Sequence, residues 1–170
     1  TVAPRMARRG AAKRDPYNKV ENLKNRSDFD RVFHVVSDHK NVLFGSSVTD
    51  QVYCLDGMTG EQRWTFFAEG PVRLAPTIKQ DRVFVGSDDG YVYCLELDSG
   101  SLIWKKRIGP SGERLAGDGR IISRWPIRTG VVIYEDEVYV AAGMFPSDTV
   151  YLTALDCATG TEKWRSTTQN

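Results

Sequence analysis

Three groups of residues have types and spacings that invite chemistry. Cys54 and Cys94 head two similar segments 40 positions apart, which would suit a thiol pair or two metal ligands if folding brought them together. Asp88-Asp89-Gly90 resembles part of a calcium loop, where closely spaced carboxylates meet a hard cation and Gly allows the sharp turn. The stretch GPSGERLAGDGRIISRWPIRTG, from Gly109 to Gly130, gathers Arg114, Arg120, Arg124 and Arg128 around Trp125. Guanidinium groups beside an exposed indole can receive an anion, a sugar or a partner protein.

Each group also has a plainer reading. Cys54 and Cys94 stand where a small residue is wanted, and Ala154 serves the same place in a third segment; a buried thiol behaves as a small hydrophobe. Cys157 reads as a turn residue. No CxxC or HExxH pattern occurs, and the two histidines, His34 and His39, are isolated, so zinc is not expected. The remaining ligands of a calcium loop are missing after Gly90, which favours a hairpin turn. Asp56, Glu96 and Asp156 recur at one motif position, which points to a repeated hydrogen-bonding role. The arginine-rich stretch could simply cross between elements, with Trp125 filling a gap. Under the binding reading, changing Arg124 and Trp125 to Ala abolishes capture and leaves the melting temperature near wild type.

These residues need positioning elements, and the positions repeat. CLDGMTGEQRW from Cys54, CLELDSGSLIW from Cys94 and ALDCATGTEKW from Ala154 align without gaps as small-Leu-acid-x-x-(Thr/Ser)-Gly-x-x-x-Trp. Before each copy lie β-branched and aromatic runs broken by a polar or Gly-containing turn, the pattern of short antiparallel strands. In the second copy the pattern predicts strands over 72–79, 82–87, 91–97 and 101–108. Four strands in about 40 residues, with turns at fixed offsets, favour an all-β chain: a partial β-propeller of about three four-stranded antiparallel blades. A two-layer sandwich gives no reason for an eleven-residue motif to recur. The expected boundaries are a basic tail or linker over 1–31, then propeller blades over 32–168. Blade 1 covers about 32–68, blade 2 about 71–108, an insertion 109–126 and blade 3 about 127–168.

The 170 residues carry 23 Lys+Arg and 22 Asp+Glu, with 41% hydrophobic residues, a composition that excludes wholesale disorder and a coiled coil. The near-neutral sum hides an uneven distribution. Residues 1–31 hold nine basic and four acidic residues, and the other 139 hold 14 and 18. Bulk charge gives no sign of a specific nucleic-acid partner, and no apolar run approaches the ~20 residues of a membrane helix. Val20 and Leu23 would allow a short helix over 17–32. The chain opens without Met, and no apolar stretch follows its first arginines, so an intact export signal is not expected.

The repeated motif resembles the tryptophan-docking repeat of the pyrroloquinoline quinone-type β-propellers, a group that includes quinoprotein alcohol dehydrogenases and the propeller lipoprotein of outer-membrane protein assembly. The likeness covers roughly residues 33–168 and is fullest in VGSDDGYVYCLELDSGSLIW at 85–104. It implies that Trp64, Trp104 and Trp164 are packing rings, that Cys54, Cys94 and Ala154 are their small seats, and that Gly60, Gly100 and Gly160 are the peptide faces on which rings of neighbouring blades lie.

Family likeness alone does not carry an activity. In the dehydrogenases the quinone lies by an adjacent-cysteine disulfide, with calcium held by Glu, Asn and Asp; this chain has no Cys-Cys pair. No catalytic, cofactor-binding or metal residue is therefore assigned and no cofactor is expected for this chain. The expected role is a non-catalytic propeller scaffold or binding module, probing protein or peptide partners as a fragment of a larger cell-envelope protein. The alternative is part of a quinoprotein dehydrogenase oxidising an alcohol or sugar with pyrroloquinoline quinone and calcium. Relatives of the repeat are mostly exported, which implies periplasm or cell envelope. Closed propellers have four to eight blades; three would leave apolar blade faces in water. The remaining blades are thus expected in the same longer chain or in an oligomer.

Overall fold

The computed structural model describes residues 34–117, 119–144 and 148–168. The basic tail over 1–31 and the short helix over 17–32 fall outside the described residues. Within them, short apolar alternations between tight turns leave each strand room to pair only with its neighbours in sequence, which gives antiparallel meanders.

Blade 1 consists of β1 (Val36–Ser37), β2 (Asn41–Ser46), β3 (Gln51–Asp56) and β4 (Gln62–Phe67). Blade 2 consists of β5 (Thr77–Lys79), β6 (Arg82–Gly86), β7 (Tyr91–Glu96) and β8 (Leu102–Arg107). A separate hairpin of β9 (Arg114–Gly117) and β10 (Arg120–Ser123) follows. Blade 3 consists of β11 (Val132–Tyr134), β12 (Glu137–Ala142), β13 (Val150–Asp156) and β14 (Glu162–Thr168). Each blade keeps its four strands in chain order and antiparallel. The strand expected over 72–79 is shorter, starting only at Thr77. Pro71 and Pro76 have no N–H to give a ladder, and Val72 is instead a buried loop residue whose N–H donates to the Ser46 carbonyl at 3.2 Å.

One irregularity recurs in all three blades. Cys54 pairs with Trp64 but Leu55 with Gln62, Cys94 with Trp104 but Leu95 with Leu102, and Ala154 with Trp164 but Leu155 with Glu162. The last strand thus carries one extra residue (Arg63, Ile103 or Lys163) just before its tryptophan. A bulge bends a strand and re-aims the side chains beside it, here placing the indole on the same face as the small residue opposite.

The core lies between blades rather than within one. Leu43, Val52 and Cys54 of blade 1 pack with Val83, Val85 and Leu95 of blade 2. Phe84, Val92 and Cys94 of blade 2 pack with Val138, Val140 and Leu155 of blade 3. The period-2 alternation of β6 and β7 therefore sends successive residues to opposite neighbours, and blade 2 is buried on both faces.

Candidate functional site

The repeated motif builds a junction, and the junction is the same twice. The Asp56-to-Gly60, Glu96-to-Gly100 and Asp156-to-Gly160 turns close through Gly N–H donating to the acidic residue's carbonyl at 2.8–2.9 Å. Their glycines hold φ of +74°, +72° and +69°, which a side-chain-free residue adopts at little cost. Asp56 Oδ1 accepts from Met58 and Thr59 N–H at 2.9 and 3.0 Å, and Asp156 Oδ1 accepts from Ala158 and Thr159 N–H at 3.0 and 2.9 Å. The Arg63 guanidinium on Asp56, followed by those amides, holds its carboxyl far below the usual range.

Onto the second and third of these turns lies the tryptophan of the preceding blade. A Cβ added to Gly100 would come within 2.5 Å of the Trp64 ring, and one on Gly160 within 2.7 Å of the Trp104 ring. Trp64 Nε1 donates to the Leu97 carbonyl at 2.8 Å, and Trp104 Nε1 donates to the Cys157 carbonyl at 3.1 Å. Leu97 and Cys157 hold the same place in their motifs, so Cys157 is more than a turn residue: it is buried and its carbonyl receives an indole. Burying an indole of about 200 Å² is worth on the order of 5 kcal/mol before ordering costs. The partners expected for Trp64 and Trp104 are thus brought together. Among the described residues nothing lies within 4 Å of a Cβ added to Gly60, and Trp164 is 42% exposed.

Cys54 and Cys94 are buried free thiols opposite the indoles. Burial pushes both up to about 11, so they stay protonated at neutral pH and are poor nucleophiles.

Asp88 and Asp89 turn β6 into β7, and the turn is more than a connection. Asp88 is fully buried, with Arg73 Nε at 2.6 Å and Arg128 Nη2 at 3.0 Å from Oδ2. Arg73 precedes blade 2 and Arg128 precedes blade 3, so one carboxylate ties two inter-blade loops. Asp89 Oδ2 accepts from the Tyr93 hydroxyl at 2.5 Å and the Glu69 amide at 3.0 Å. Burial raises the Asp89 carboxyl above the usual range, and burial beside Asp89 raises Tyr93. No local pattern links residues 73, 88 and 128, which is why the bracket is invisible in the sequence.

The arginines of the inserted stretch are engaged by groups of the protein itself. Arg120 donates to the Ser47 and Val48 carbonyls at 2.7 and 3.0 Å and to Asp50 at 2.7 Å. Arg124 bridges Glu113 and Asp148, each at 2.9 Å, while Arg114 reaches Glu69 at 3.4 Å. The expectation of an exposed indole is corrected: Trp125 is only 9% exposed. It packs within about 3 Å of where a Gly109 Cβ would lie and edge-on to Tyr151, in the cluster between blades 2 and 3. The apolar ring is buried there because Gly109 leaves room for it. A groove of about 260 Å³ opens between the same blades, lined by Lys79, Arg82, Asp136, Asp156 and Cys157 among others. Its cations are engaged: Lys79 with Asp136 at 2.8 Å, Arg82 with the Cys157 and Ala158 carbonyls at 3.0 and 3.1 Å.

Sequential four-stranded meanders, stacked face to face and locked by an indole on each following blade's Gly turn, define an arc of a β-propeller. The family model described as outer membrane protein assembly factor BamB matches residues 23–167, and the chain belongs to that family. BamB from Moraxella catarrhalis shares the fold, with a TM-score of 0.56 and 19% identity, over 78% of this chain and 35% of that one. The quinohemoprotein alcohol dehydrogenase of Comamonas testosteroni is similar in fold with a TM-score of 0.65 and 21% identity, over 78% of this chain and 20% of that one. In sequence, the quinoprotein ethanol dehydrogenase of Pseudomonas aeruginosa is 29% identical over 87 residues, covering 46% of this chain and 14% of the dehydrogenase. The chain therefore spans about a third or less of these relatives.

Proposed function

We propose that the chain is a non-catalytic scaffold arc of a larger cell-envelope propeller that holds other proteins on its faces and strand edges. The observation that supports this most directly is the use made of its polar and aromatic repeats. Asp56 and Asp156 hold their own turns, Asp88 ties loops together, and Trp64 and Trp104 join blades. Side chains so engaged build a ring and are not free for a substrate. The family's described part in assembling outer membrane proteins supports a protein partner and a periplasmic or envelope location. The test is cell fractionation joined to in-cell photo-crosslinking from exposed positions such as Phe67. Recovery in the periplasm with crosslinks to outer-membrane proteins in transit is expected; a cytosolic protein without crosslinks overturns the reading.

A second reading, part of a quinoprotein dehydrogenase oxidising an alcohol or sugar, is favoured by the 29% identity to the ethanol dehydrogenase. The described residues of this arc do not themselves fit a calcium–quinone site. No three His, Cys, Asp or Glu side chains among them converge as cation ligands do, and Asp50 and Asp88 face guanidinium groups. The second reading therefore needs cofactor contacts from other blades. Calcium-dependent dye reduction and quinone absorbance, measured after adding pyrroloquinoline quinone to the full-length protein with all its blades, decide between the two. The scaffold reading expects neither signal.

A further inference from the structure

Blade 2 has a neighbour on each face, so its last strand, β8, stands in its full setting. The edge of β8 turned away from β7 lies open. Ile108 N–H donates to the Gly90 carbonyl at 3.1 Å. By the two-residue period of a strand, the amides of Lys106 and Trp104 also turn toward β7, and the N–H and C=O groups of Lys105 and Arg107 turn away from it. Among the described residues β7 is the only sheet neighbour of β8, and no other backbone group meets those of Lys105 and Arg107. Leu102 and Ile103, where the strand begins, are 47 and 43% exposed.

This edge is cationic on an acidic background. Beyond residue 31 the chain carries 14 basic and 18 acidic residues, yet Lys105, Lys106 and Arg107 stand in succession. Arg114 on β9 adds a fourth cation, sharing Glu69 with Lys105 at 3.4 and 2.6 Å. Among the described residues Glu69 is the one carboxylate that pairs with any of the four. The last strands of the other blades are neutralised within the chain: Arg63 on β4 by Asp56, and Lys163 and Arg165 on β14 by Glu137 and Glu162. The Arg107 guanidinium is also held in place. Its Nη2 donates to the Tyr91 hydroxyl at 2.6 Å, and the group lies 5.1 Å over the Tyr91 ring. A guanidinium so fixed loses little freedom when it takes a carboxylate on its remaining N–H groups.

We propose that β8 receives an extended acidic segment of a partner protein as a fifth, antiparallel strand of blade 2. Backbone groups of Lys105 and Arg107 bond the incoming strand, two carboxylates spaced two residues apart meet their side chains, and apolar residues lie beside Leu102 and Ile103. This rests on the scaffold reading and deepens it by naming the edge used and the chemistry of what binds there. Strand addition draws affinity from main-chain bonds and selectivity from side chains. Cations on an edge repel a like edge, so β8 rejects the β8 of another copy and admits an acidic strand.

The test uses the full-length protein with all its blades and capped, labelled peptides read by fluorescence anisotropy. The probe is Glu-Thr-Glu-Val-Thr-Val; one control has Gln for both Glu, and another is N-methylated at both Glu. The probe binds, each control binds about tenfold more weakly or worse, and amide exchange slows at Lys105 and Arg107. Arg107→Glu loses the probe but gains a peptide with Lys in place of the first Glu, a reversal that a misfolded variant cannot give. Binding that ignores N-methylation, or no binding at all, overturns the proposal. Capture by phosphatidylglycerol vesicles without peptide binding assigns the patch to a lipid surface and overturns it too. A negative titration leaves the crosslinks of the scaffold reading untouched, and a failure of that reading shows in the crosslinks and fractionation instead.

Discussion

At the scale of single residues, the acidic position of the motif is a turn-builder whose charge matters. Asp56 is held below the ordinary carboxylate range by Arg63 and by the amides of Met58 and Thr59, so the folded state binds its proton less tightly than the unfolded state. Its contribution is present above the ordinary carboxylate pKa of about 4 and is lost as the pH falls below it. Asp56→Asn is expected to lower the urea midpoint at neutral pH, with the gap from wild type narrowing steadily as the pH falls below the ordinary carboxylate range. A gap independent of pH would contradict the assignment. Asp89 works with the opposite sign. Burial raises it, so its contribution is fullest at low pH and is lost as the pH rises through its raised value. The two carboxylates are neighbours in type only, and their surroundings decide which way each one leans.

At the scale of elements, the Gly turns separate backbone strain from packing. All three hold the same positive φ, but only Gly100 and Gly160 face an indole. Gly60→Ala is expected to cost only the strain of the turn, about 1 kcal/mol. Gly100→Ala adds a clash with the Trp64 ring and should cost about 2 kcal/mol more, read from denaturant midpoints. Equal losses would show that the ring contributes nothing. The inserted stretch gives a second element-scale expectation. Trp125→Ala is expected to destabilise by about 3–5 kcal/mol, because it empties a buried site between blades. Trp125→Phe should cost much less, since the indole Nε1 has no hydrogen-bond partner among the described residues. This reverses the expectation of a near-wild-type melting temperature for a surface residue.

The all-β class was legible because alternation and Gly turns are local. In 85–104 they sit so regularly that β6, β7 and β8 follow from the pattern of Val, Tyr and Gly. The role of Trp125 was not legible, because arginines on both sides make it look like a surface aromatic, and only the approach of Gly109 and Tyr151 buries it. The same holds for the Asp88 bracket, whose partners Arg73 and Arg128 come from distant loops.

At the scale of the whole molecule, stability is shared between blades. Among the described residues no blade encloses a core of its own, and blade 2 is covered on both faces by blades 1 and 3. Such architectures behave as chains of nearest-neighbour couplings, so a substitution at the junction of blades 1 and 2 is expected to weaken blade 1 more than blade 3, as hydrogen exchange resolved by blade would read.

The direction of the indole contacts has a further consequence for how the chain comes into being. Trp64 rests on a turn that follows it in sequence, as does Trp104. During vectorial synthesis or export, each blade emerges with its tryptophan uncovered, and the seat that shields it arrives only with the next blade. No blade can finish folding on its own schedule; each waits, with an adhesive ring exposed, on its successor. The interval between an indole and its seat is longest where the inserted stretch separates Trp104 from Gly160. That interval is the stretch of synthesis in which the growing chain most needs a chaperone's protection.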